Sequence, residues 1–154
     1  MKATVFASTI ALSLIASVAN AQAVRTEKNM SLDLANQIAA ATVASCSAGG
    51  YNVTAAVVDR AGIRRALQRA DNAGPHTVGA AQAKAFTSAS AKAPTTAMLE
   101  NVQKNPGAAT LVDIPGFLIL GGGVPVKVGN EVIGAVGVGG APGGDDLALS
   151  RGGE

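Results

Sequence analysis

His76 is the single imidazole of this 154-residue chain. It stands in Asp71-Asn-Ala-Gly-Pro-His-Thr77, just ahead of an alanine-rich run that carries Lys84, Phe86, Thr87, Pro94 and Thr95. An imidazole titrates near neutral pH and is a common metal ligand. Coming directly after Gly74-Pro75, where a helix is expected to open, it should be exposed. Two readings of His76 stay open from the residues alone: a capping or surface histidine, and a functional imidazole. Lys84 likewise reads either as a solvated helix lysine or as a partner for a carboxylate.

Several chemistries are excluded by what the chain lacks. One histidine and one cysteine cannot fill a zinc site from a single chain. A nucleophilic triad has no support, because no serine lies in a Gly-x-Ser-x-Gly elbow. Gly121-Gly-Gly123 is not followed by the Gly-Lys-Ser/Thr of a phosphate loop, and Gly137-Val-Gly-Gly-Ala-Pro142 puts proline where a dinucleotide fingerprint needs its third glycine. Those glycines read better as strand ends and tight turns. Asp145-Asp146 reads as a dipole partner of a last helix before it reads as a cation site. With no convergent acid, base or nucleophile set, the expectation is a protein that is not an enzyme.

The ends and the composition set the class. Lys2, the uncharged apolar stretch Phe6–Val18 and Ala19-Asn-Ala21 form the three-part pattern of a secretory signal, with cleavage expected before Gln22. The apolar stretch is short for a membrane span of about 20 residues. Residues 22–154 then form one domain, exported to the periplasm or the medium, with no stable membrane span after cleavage. Its formal charge drops from +2 to +1 with the loss of Lys2. The basic residues are scattered and aromatics make up only 3% of the chain, which argues against nucleic acid as a partner. Cys46 is the lone cysteine, so no intrachain disulfide forms. It falls on the apolar face of the first helix with Leu32, Ala35, Ala39 and Thr42 and reads as a buried small hydrophobe.

The elements that would position these residues follow from periodicity. Ser31 caps a helix running to about Ser47, and Gly49-Gly50 stops it. Tyr51–Val58 and Ile63–Arg69 read as strands around the turn Asp59-Arg-Ala-Gly62. A helix is expected over Pro75–Ala91, with small alanine faces that let another backbone come close. A short helix follows from Thr95 or Thr96 to about Lys104, then a Pro/Gly-punctuated connection and a short strand Phe117–Leu120. Val124–Val128 and Glu131–Val138 flank Gly129-Asn130, a loop suited to a type II′ hairpin. A last helix is expected near Gly143 or Gly144. This order implies α+β architecture: an antiparallel sheet flanked by helices in a single domain.

Seven short stretches, in order, carry a resemblance. They are Val57-Val-Asp-Arg-Ala-Gly62, Asp71-Asn-Ala-Gly-Pro75, Lys84-Ala-Phe-Thr87, Ala93-Pro-Thr95, Asp113-Ile-Pro-Gly116, Gly122-Gly-Val-Pro125 and Gly137-Val-Gly-Gly-Ala-Pro-Gly143. Together they resemble the GlcG/HbpS family, also met as the C-terminal domain of some PduO-type corrinoid adenosyltransferases. The resemblance implies a profilin-like fold, a homo-oligomer, and binding of haem or another tetrapyrrole in a surface or intersubunit crevice. It also implies a role in haem or iron acquisition or redox sensing, with a sensor kinase or transporter as partner. An iron donor would come from His76, Tyr51, Met30, Met98, Lys84 or a hydroxyl such as Thr95. By the family motif, Lys84, Thr87 and Thr95 are expected haem contacts, with Thr95 and Thr87 as the leading threonine-type contacts to iron; His76, nearby, is expected to contribute to the haem and metal contacts with them. The alternative is an exported accessory protein that docks on a sensor or transporter without haem. A corrinoid- or flavin-handling enzyme is the third and weakest reading.

Overall fold

The computed structural model describes residues 24–142. Helix α1 spans Leu32–Ala48, and its start is chemically specified: the Ser31 hydroxyl accepts from the Leu34 N–H at 3.2 Å, with Asp33 in the first turn. Strands β1 (Thr54–Asp59) and β2 (Arg64–Arg69) follow. The turn between them is pinned by Asp59 Oδ1, which accepts from the N–H groups of Ala61 and Ile63, both at 3.0 Å. Gly62 closes that turn at φ +78°, a conformation that favours glycine. Helix α2 covers His76–Ala91 and α3 covers Thr95–Lys104, with Lys92 in a left-handed conformation between them. A 3-10 segment (Pro106–Asp113) leads towards β3 (Gly123–Val128) and β4 (Glu131–Gly139). Gly129 turns that last hairpin at φ +63° while Asn130 keeps a negative φ, as a type II′ turn requires.

The four strands form one antiparallel sheet in the order β2-β1-β4-β3. β1 and β4 are central, so β1 is buried at all six positions. Val57 and Val136 pair on one face and pack with Ala35, Ile38, Ala39 and Cys46 of α1. Val58 and Ala135 pair on the other face and pack with Ala85 and Ala89 of α2. One helix therefore covers each face of the sheet, the expected α+β single domain. Fully burying a valine such as Val57 stabilises by about 1.5–3 kcal/mol. The alanine face of α2 lies against glycine backbone: a Cβ on Gly137 would strike the main chain at Ala81 and Ala85.

Several expectations need adjusting. Phe117–Leu120 is not a strand. It is held by side chains of α2 and α3 instead of a ladder, as described below. The first strand starts at Thr54, not Tyr51. Leu32 is 55% exposed at the start of α1, and Met30, just ahead of the helix, takes the core position. The expected signal segment and the last helix near Gly143 lie outside the described residues. Among the described residues, no helix is long and apolar enough to cross a membrane.

Candidate functional site

An open groove of about 450 Å³ runs along the outer side of α2, lined by Gly62, Gly79, Gln82, Ala83, Phe86, Pro115 and Gly116. That volume lies in the range of small-molecule sites, about 300–1,000 Å³. Its wall is the Phe86 ring, set edge-on to Phe117 at 76° with centroids 6.0 Å apart. Gly62 and Gly116 both lie against this ring, and a Cβ on Gly62 would approach it to 2.7 Å. Both glycines have positive φ, +78° and +85°, so the two loops need glycine for conformation as well as for space. Ile63, which follows Gly62, and Ile114, which precedes Pro115, are 64% and 40% exposed.

His76 belongs to the same side of α2. It precedes Gly79 by three residues and Ala83 by seven, the spacing that puts three positions on one helix face. It is exposed on the first turn, and its ring lies against Gly74, where a Cβ would come within 2.7 Å of Cε1. Among the described residues its nitrogens have no hydrogen-bond partner, so nothing there holds the imidazole from an incoming ligand.

The other three expected contacts stand elsewhere. Thr87 is fully enclosed, donating to the Ala83 carbonyl at 2.8 Å and accepting from the Leu118 N–H at 2.8 Å. Thr95 is also fully enclosed. It donates to the Leu120 carbonyl and accepts from the Gly123 N–H, both at 2.9 Å. Both hydroxyls are thereby committed to the backbone of 118–123, which replaces the strand pairing expected there. Lys84 points to the sheet: it is 4% exposed and its ammonium donates to the Val138 carbonyl at 2.9 Å. A buried amine without such a partner would be costly. The structure thus places Thr95, Thr87 and Lys84 in the fold's interior and outside the lining of the groove. Met30 is buried as well, and Tyr51 is 37% exposed at the far end of α1.

A second neighbouring feature at the head of α2 is structural. Thr77 donates to the Gly74 carbonyl at 2.6 Å, which uses its only hydroxyl proton. Thr54 must then be the donor in the buried 2.7 Å contact between the two hydroxyls, tying β1 to the helix turn that carries His76. A cleft lined by Lys28, Arg60, Lys92 and Glu131 lies at the β3–β4 hairpin. There Arg60 is already engaged with Glu131 at 2.8 Å and Glu27 at 3.3 Å.

The family model described as "Haem degrading protein HbpS-like" matches residues 30–153. The chain belongs to the HbpS-like family. It is 36% identical over 114 residues to Protein GlcG of Escherichia coli K12, spanning 74% of this chain and 84% of that protein. Among solved structures it is similar to HbpS, with TM-score 0.76 and 36% identity over 81% of this chain and 89% of the other. A Klebsiella pneumoniae protein, ORFY, gives TM-score 0.76 at 31% identity, covering 83% of this chain and 90% of its own. The fold is also shared with the haem complex of PduOC, at 23% identity, TM-score 0.70, and coverage of 79% and 91%.

The residues present at the groove fit an iron tetrapyrrole. An imidazole is an ordinary haem ligand, and His76 is the expected donor that is both exposed and in line with an apolar surface. Gly79 and Ala83 leave a low surface beside it, and Phe86 supplies a ring edge. Gly62, Phe86, Pro115 and Gly116 of this groove lie in the stretches that carry the resemblance, whereas Gly79, Gln82 and Ala83 lie outside them. The signal that would have found the site is the His76, Gly79, Ala83 spacing on a helix.

Proposed function

We propose that this protein binds haem in the groove beside α2, with the ring over Gly79 and Ala83 and His76 as the iron donor. The observation that carries the reading is the alignment of the exposed imidazole with an open apolar groove on one helix face. Membership of a family described by haem chemistry supports the ligand class. The iron would supply any redox chemistry, and the chain's part is to orient the ring and give it one nitrogen donor. Export, participation in haem or iron acquisition or redox sensing, assembly into a homo-oligomer, and docking on a sensor kinase or transporter belong to the same proposal. The Lys2-to-Ala21 pattern motivates export, and the exposed Ile63 and Ile114 motivate assembly.

Haemin titration tests the reading. The wild type should give a saturable Soret shift at one haemin per chain, and His76→Ala should weaken it by at least about tenfold. An unchanged spectrum at stoichiometric haemin would leave the accessory-protein reading in its place. Following the loaded protein in the presence of a reductant and oxygen separates binding from breakdown: a stable Soret band supports a binding protein, and progressive bleaching supports an enzyme.

A further inference from the structure

We infer that Arg64 is the anion anchor of the groove, so that its ligand is an apolar plate carrying a carboxylate and enters with that carboxylate on the Arg64 guanidinium. This rests on the haem reading above and adds the orientation of the ligand. Arg64 stands on the edge strand β2 opposite Val58, on the sheet face that α2 covers. Its Nη1 donates at 2.9 Å to Oε1 of Gln82, a residue of the groove lining. The partner is neutral. Arg60, by contrast, is held by two carboxylates, and among the described residues Arg64 has no acidic group within ion-pair distance. A guanidinium bound to an amide exchanges readily for a carboxylate, because charge-assisted hydrogen bonds are about twice as strong as neutral ones and are commonly bidentate. Arg69 sits on the same face opposite Thr54, about 13 Å further along the strand. The β2 wall therefore carries positive charge along its length, while the α2 wall of Gly79, Ala83 and Phe86 is uncharged. A carboxylate-bearing plate would meet charge on one edge and apolar surface on its face.

The test compares haemin with haemin dimethyl ester, whose carboxylates are capped, by Soret titration of folded protein. The wild type should prefer haemin by about tenfold, the scale of one hydrogen bond to a charged group on a partly exposed site. Arg64→Ala should lose that preference and leave ester binding unchanged, and Arg64→Lys should keep part of it. Arg64 is exposed, so the fold is not at stake. The wild-type ratio is read without any variant. A wild-type ratio near one, or an equal loss for both ligands in Arg64→Ala, overturns the anchor while the haem reading stands. Absence of any Soret shift with either ligand overturns both.

Discussion

Thr95 and His76 look alike as candidate iron contacts in the sequence, and they are opposites in the molecule. The Thr95 hydroxyl joins α3 to the Leu120 and Gly123 backbone. Thr95→Val would remove the partner of the buried Gly123 N–H and of the part-buried Leu120 carbonyl, and should lower unfolding free energy by about 1–3 kcal/mol in urea, with haemin affinity retained. A loss of haemin binding at full stability would return Thr95 to the site. His76→Ala should do the reverse: stability within about 0.5 kcal/mol of wild type, as for an exposed position, and haemin binding sharply reduced. Sequence could not separate the two, because a helical threonine takes its role from partners 25 to 28 residues away. The exposure of His76 was legible from its place after Gly74-Pro75. Cys46 was legible too: it is enclosed against the sheet, and burial pushes its thiol up from the ordinary value. Native protein should therefore resist a thiolate-selective reagent at neutral pH and react at once in denaturant. Rapid labelling of native protein would contradict the packing.

At the scale of elements, the alanines of α2 and the glycines of β4 make one contact. Gly137 has no room for a Cβ because the α2 backbone at Ala81 and Ala85 already occupies the space. Gly137→Ala should push the helix off the sheet, at about 1–3 kcal/mol, and lower the melting temperature. An unchanged melting temperature would mean that the helix is not seated there. Because the same helix carries the groove, this variant should also weaken ligand binding. Helices α1 to α3, both hairpins and the Ser31 cap were readable from spacing and turn residues, and the close approach of α2 was expected from its alanines. What the spacing could not give is the strand order and the segment 117–120. An apolar run such as Phe117-Leu-Ile-Leu120 has the composition of a strand, but here Thr87 and Thr95 satisfy its backbone groups. Likewise the central β1 is apolar on both sides, so its pattern says nothing about which helix covers which face.

For the molecule as a whole, Arg60 fastens the residues ahead of α1 to the β3–β4 hairpin through Glu27, the Lys28 carbonyl and Glu131. The hydrogen bond from Arg60 holds the Glu131 carboxyl below its usual range. Because the folded value is the lower one, this tie stabilises above about pH 4.3 and is lost as pH falls through the lowered value. Arg60→Gln should therefore be less stable than wild type at neutral pH, and the gap should close in acid. A gap independent of pH would assign the effect to something other than Glu131. Haem bound as proposed would lie on the outer face of α2, between the Gly62 turn and the Pro115-Gly116 loop. The most direct measurement is a nitrogen–proton NMR map of the protein with and without a diamagnetic metalloporphyrin. Shifts should concentrate at the amides of Gly62, Gly79, Gln82, Ala83 and Gly116, near His76. Shifts confined to the Lys28, Arg60 and Glu131 cleft, or none at a saturating ligand concentration, would contradict it.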